Sequence, residues 1–81
     1  MAEHIARLRT PADFGLAVQQ ARLARGLTQN ELAAELGVPQ STISEIEAGK
    51  STIYLRRLLS IARLIGIDFT ASWADDDAPR G

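Results

Sequence analysis

Eighty-one residues, 46% of them apolar, make one small folding unit and argue against a chain that stays disordered. The lack of cysteine excludes disulfides, thiolate catalysis and cysteine-bound zinc, and suits a reducing cytosol; no run approaches the roughly 20 apolar residues of a membrane span, and no secretion signal opens the chain. A net charge of −1 argues against a polyanionic partner until its distribution is read: residues 67–81 carry −3, which leaves +2 on residues 1–66.

Residues 1–9 mix Ile5 and Leu8 with His4, Arg7 and Arg9 and read as a loose arm with a short extended piece. His4 has no second ligand beside it and reads as an exposed arm residue. Thr10-Pro11-Ala12-Asp13 is a helix start: a capping hydroxyl, a proline at the first helical position and an acid in the first turn. Phe14, Val18, Ala21 and Leu23 supply the apolar stripe, and Gly26 stops the helix in the left-handed region.

Thr28-Gln29-Asn30-Glu31 is a capping box, in which Thr28 and Glu31 each satisfy a free backbone donor near the other. Leu32, Ala33 and Leu36 are expected to face inward, Leu27 to staple against the following turn, and Gly37 to close this second helix. Pro39 presets the first turn of a third helix over about residues 40–48, with no capping side chain at Val38. Ile43 and Ile46 mark its buried side, and Ser41, Ser44, Glu45 and Ala48 fall opposite at ~100° per residue.

A connection over residues 50–54 leads to a fourth helix, Leu55 to Ile65, with Gly66 behind it. Its Leu and Ile residues cover more than one face, and the excess points to a second buried face, against another copy of the chain. Then the period changes to two: Ile67, Phe69, Ala71 and Trp73 alternate with Asp68, Thr70 and Ser72, as in a strand with one apolar face. Its partner is either the N-terminal arm or the same strand of a second copy, and a two-fold dimer makes the second the simpler choice. Trp73 then anchors packing at the dimer strand or touches a partner protein. Asp75-Asp76-Asp77 lie in a tail without a loop framework, where they solubilise rather than bind metal.

One short helix, a tight turn and a second short helix with small polar side chains outward suit the DNA major groove, which admits one helix. Gln40 stands at the exposed start of the second of these and can pair bidentately with adenine N6 and N7. Ser41 and Ser44 allow close approach to either base or to a bridging water, or stay near-neutral surface. Glu45 fits a cytosine N4 contact or a solvated surface acid. Arg56, Arg57 and Arg63 read as solvated charges of the fourth helix, with one or two in reach of phosphate. Nothing favours catalysis: there is no Cys and no second His, and the glycines sit at helix ends instead of in a phosphate loop.

The ordered set Leu27-Thr28-Gln29, Glu31-Leu32-Ala33, Gly37-Val38, Ile43-Ser44, Ile46-Glu47 and Gly49-Lys50 resembles the helix-turn-helix family of phage repressors and their bacterial relatives over residues 12–66. With Thr10-Pro11 before it and Ile67–Trp73 after it, the chain looks closest to HipB-type antitoxins. The resemblance implies an all-α, four-to-five-helix, lambda-repressor-like domain with a short C-terminal strand that pairs across a homodimer. Residues 1–9 are then the arm, 10–66 the DNA-binding domain, 67–74 the dimerisation strand and 75–81 a disordered acidic tail.

By position, the resemblance implies that Gln29 meets a phosphate, that Gln40, Ser41, Ser44 and Glu45 face base edges, that Thr42 and Lys50 lie near phosphates, and that Arg22 and Glu47 form a structural salt bridge. Ile67, Phe69, Ala71 and Trp73 form the dimer interface. It further implies a cytoplasmic repressor of its own operon on a palindromic operator, with a HipA-like serine/threonine kinase as toxin partner and no cofactor. Pro39 in place of a polar cap and Glu45 in place of a polar or basic residue depart from the family pattern. Two other readings stay open: a module that mainly grips a toxin and binds DNA weakly, and a stand-alone regulator with no toxin.

Overall fold

The computed structural model describes residues 3–75, in the order β1 (Glu3–Arg7), α1 (Pro11–Ala24), α2 (Gln29–Leu36), α3 (Gln40–Glu47), α4 (Ile53–Ile65) and β2 (Thr70–Ala74). Local chemistry sets most of these bounds. Thr10 caps α1 through its hydroxyl, and the Asp13 carboxylate accepts from the backbone N–H of Arg9 and Thr10 at 2.8 and 3.0 Å. Those two amides hold the Asp13 carboxyl below its ordinary value, the Arg9 bond contributing most. Thr28 and Glu31 form the same reciprocal cap on α2. Thr52 caps α4, which begins two residues earlier than its apolar pattern alone indicates. Pro39 gives α3 no side-chain cap, and its carbonyl accepts from the Thr42 N–H at 3.0 Å.

α1 lies against α3 and against both strands, and α2 packs on α3. The α1–α3 crossing is close because Gly15 has no Cβ: one built there would meet the carbonyl oxygens of Ile46 and Glu47, the latter at 2.8 Å. Leu8, Ala17, Ala33, Ile43, Leu59 and Ala62 form the buried core. Three residues expected inside are exposed. Leu23 lies half a turn round α1 from Phe14, Val18 and Ala21. Leu36 is the last residue of α2, with no further turn to carry packing over it. Ile46, 41% exposed, is rotated by ~60° from Ile43 to the rim of the buried face of α3.

The N-terminal arm is not loose. β1 pairs antiparallel with β2 within the chain, from Glu3↔Ala74 to Arg7↔Thr70, and the Leu8 N–H extends the pairing to the Phe69 carbonyl at 2.9 Å. Of the two partners open to the C-terminal strand, the chain uses its own arm. The strand also starts at Thr70 and not at Ile67: Gly66 closes α4 in the left-handed region, and the Ile67 N–H still bonds back to Ala62 at 2.8 Å. His4 is exposed, as expected, but it has neighbours. Its ring stacks on Trp73, centroids 5.5 Å apart, and its Nε2 lies 2.9 Å from Asp75 Oδ1. The disorder expected of the tail concerns, from residue 76 onward, positions outside the described residues.

Candidate nucleic-acid interface

Four polar side chains and a carbonyl form one connected line from the interior to the start of α3. Arg22, on α1, donates from Nε and Nη2 to the two carboxylate oxygens of Glu47 at 2.6 and 2.9 Å. Its Nη1 donates to the Leu27 carbonyl at 2.7 Å, which ties down the approach to α2. Glu47 Oε1 also accepts from Gln29 Nε2 at 3.0 Å. Gln29 Oε1 accepts from Gln40 Nε2 at 2.6 Å. The pair at the root is out of solvent, with the Arg22 and Glu47 side chains 9% and 3% exposed. A forked guanidinium on a carboxylate fixes direction as well as distance. It holds the Glu47 carboxyl below its ordinary value, with the Gln29 amide adding to that, and raises Arg22.

This accounting leaves usable groups at the outer end. Gln40 spends one of two N–H donors on Gln29 and keeps the other with its carbonyl, and Gln29 keeps one N–H after bonding Glu47. A free N–H beside a free carbonyl is the pattern that meets adenine N7 and N6. The first-turn amides of α3, which have no side-chain cap, face the same end.

The other predicted contacts fall into a second group. Glu45 and Lys50 pair at 3.2 Å, both well exposed. With Thr42, Ile46, Ser51 and Thr52 they line a shallow hollow of about 270 Å³ beside α3. Ser41 is exposed and Ser44 half-buried. Ile67, Phe69, Ala71 and Trp73 belong to neither group; Ile67 is exposed beyond α4, and the other three are half-buried on or next to β2. Reading by residue type missed the Arg22 bond to Leu27 and the capping role of Thr52. The second had a signal, a Ser-Thr pair directly before an apolar helix. Among the described residues, no three His, Asp or Glu side chains group as a metal site would, and no helix is long and apolar enough to cross a membrane.

The comparisons with known proteins point the same way. A family model described as helix-turn-helix matches residues 18–71, well over half of the chain. An uncharacterized HTH-type transcriptional regulator of Sinorhizobium fredii is 38% identical over 60 residues, covering 74% of this chain and 79% of that protein. Homologs of endothelial differentiation-related factor 1 from Danio rerio and Xenopus laevis are 34% and 32% identical, over 80% and 73% of this chain but only 44% and 40% of theirs. No solved structure matches. With an Arg22–Glu47 pair tying α1 to α3, and Gln29 of α2 bonded to the same carboxylate, inside the matched segment, the chain belongs to the helix-turn-helix family of DNA-binding transcriptional regulators.

Proposed function

We propose that this chain is a sequence-specific repressor that inserts α3 into the major groove of a palindromic operator as a homodimer. The observation that carries the reading is the line Arg22–Glu47–Gln29–Gln40, which presents a pre-aimed amide at the tip of α3. Gln40 reads a base edge, Gln29 holds a phosphate, and Ser41 and Ser44 permit close approach. Lys50 and Thr42 lie at the flanking backbone. Glu45 is held by Lys50 and acts as a solvated acid unless a cytosine N4 draws it away.

The dimer is supported by a second apolar stripe on α4. Tyr54, Leu58, Ile61 and Ile65 follow one another at spacings of four, three and four and are all exposed, with Leu64 beside them 87% exposed. That spacing makes a seam for another helix. Ile67, Phe69, Ala71 and Trp73 continue the interface along β2, whose edge away from β1 is unpaired among the described residues. Two copies then read half-sites about one helical turn, or a small multiple, apart.

The antitoxin role, with a HipA-like kinase as toxin, rests on the likeness of the capped first helix, the helix-turn-helix and the C-terminal strand to HipB-type chains. One observation favours a second reading, a toxin-gripping module with weak DNA binding: the same apolar stripe on α4 fits a foreign helix as well as a sister one. Anisotropy titration of the chain's own upstream duplex, at two salt concentrations, separates the two. A repressor gives tight binding that weakens steeply as salt rises. Affinity no better than for random duplex transfers the main task to protein binding.

A further inference from the structure

The charges that the DNA-binding reading does not use converge elsewhere. Arg7 of β1, Arg9 of the link to α1, and Arg56 and Arg63 of α4 line two adjoining cavities that share Arg9, Leu59 and Arg63. The larger, about 340 Å³, has Arg7, Arg9 and Arg63 over an apolar floor that includes Leu8, Ala62 and Phe69, with Asp68 the carboxylate in its lining. The smaller, about 190 Å³, adds Arg56, Thr10 and Ser60. Neither has a lining residue from α2 or α3.

These guanidiniums are poorly satisfied. Among the described residues, Arg7, Arg9 and Arg56 have no carboxylate at ion-pair distance. Arg63 makes two long contacts, to the Arg9 carbonyl at 3.5 Å and to Ser60 Oγ at 3.4 Å. Asp13, whose charge attracts Arg9, has its carboxylate turned to the amides of Arg9 and Thr10. α4 itself sets up the cluster: Arg56 and Arg63 are two turns apart on one side, flanking the buried Leu59 and Ala62. Forked cations gathered over an apolar floor, in a hollow the size of a small-ligand pocket, fit an anion with an apolar body.

We propose that these two cavities bind a small organic anion, a phosphate or carboxylate head on an apolar body. The head lies between Arg9 and Arg63, the two charged side chains that both cavities share, and the body lies on Leu8, Leu59 and Ala62. The site shares no residue with those assigned to DNA contact, and its test can fail without touching that assignment.

The probe is octyl phosphate, titrated into the ¹⁵N-labelled full chain. We expect saturable shifts confined to amides near residues 7–10 and 59–69, and a rise in thermal midpoint, since a ligand of the folded form stabilises it. Inorganic phosphate moves the same amides with an affinity about tenfold lower, having no body to bury. Octyltrimethylammonium leaves them still. Arg9→Gln with Arg63→Gln weakens octyl phosphate by about tenfold or more. If that variant does not fold, Arg9→Lys with Arg63→Lys keeps the charge, and loss of the fork alone still weakens binding. Octyl phosphate affinity that is unchanged in either variant, an equal response to octyltrimethylammonium, or equal affinity for both phosphates overturns the proposal. So does random duplex DNA that moves these amides when octyl phosphate does not, because the arginines then serve the DNA backbone.

Discussion

Glu47 separates what the buried ion pair does for the fold from what it does for DNA. Replacing it with Leu leaves the Arg22 guanidinium, a 9%-exposed side chain, with only the Leu27 carbonyl. Stranding one member of a buried pair costs about 3–5 kcal/mol. A domain of this size has a stability on the order of 4–12 kcal/mol at 0.05–0.15 kcal/mol per residue, so Glu47→Leu removes a large share of it. Adding Arg22→Met removes the stranded charge and returns most of the loss, because an apolar replacement of a buried pair is often neutral. The double variant is thus folded but has no anchor for Gln29, and Gln40 loses the position that Gln29 gives it. We expect urea midpoints, at unchanged m-value, to fall sharply for Glu47→Leu and recover in the double variant, while anisotropy on the cognate duplex stays weakened by about tenfold or more. The reasoning fails if Glu47→Leu costs less than about 1 kcal/mol, a surface-pair value. It also fails if the refolded double variant binds cognate DNA as the natural chain does.

The remaining expectations are shorter. Gln40→Ala should lose roughly 1–3 kcal/mol on the cognate site and little on random duplex, read as the ratio of the two anisotropy affinities; equal losses take Gln40 out of base reading. Glu47 has a lowered carboxyl in the fold, so its stabilisation is complete above the ordinary carboxylate value of 4.5 and fades as pH falls below that through the lowered value. Urea midpoints measured from neutral pH down to acid should therefore fall less steeply in the Arg22→Met, Glu47→Leu double variant. Gly15→Ala should cost about 1–3 kcal/mol, because the new Cβ must push the α3 backbone away, whereas Gly37→Ala, with open space around it, should cost only the ~1 kcal/mol of its left-handed backbone. Ile61→Glu with Leu64→Glu should turn a dimer into a monomer in sedimentation without loss of helix signal, if the α4 stripe is the seam; an unchanged mass moves the interface elsewhere.

The starts of α1 and α2 and the helix stops were readable because each depends on one or two side chains: Thr10 with Asp13, Thr28 with Glu31, and Gly26, Gly37 and Gly66 in the left-handed region. Burial was less readable. An apolar period says which face of a helix turns inward and not where a neighbour stops covering it, so Leu36 and Ile46 looked internal and are exposed. β1 was only partly visible, as a short extended piece and one of two possible partners for the C-terminal strand, for a related reason. Its own residues alternate weakly, Ile5 is exposed, and what makes it a strand is pairing with β2 some seventy positions away. At the interface, the identities of Gln29 and Gln40 were visible by motif, whereas their bond to each other and to Glu47 depends on how α2 and α3 cross. The arginine cluster gave no local signal at all, because positions 7, 9, 56 and 63 meet only when β1 and the start of α1 fold beside α4.

The near-neutral total charge is compatible with a polyanionic partner once it is seen that five of the ten acids are already engaged. Asp13 and Glu31 are consumed in helix caps, Glu47 is sealed under Arg22, Glu45 sits on Lys50, and Asp75 lies against His4. The two capping carboxylates oppose the positive ends of α1 and α2, whereas α3 begins with no side-chain cap and no acid in its first turn. The helix proposed to enter the groove is thus the one of the first three whose N-terminal field is left unopposed. Placing an acid there, as in Ser41→Asp, should fill that end with a carboxylate. It stabilises the helix in isolation by a few tenths of a kcal/mol, yet it should abolish binding to any duplex, cognate or random, because it sets like charge against phosphate. Retained affinity in that variant would mean that the start of α3 does not face DNA.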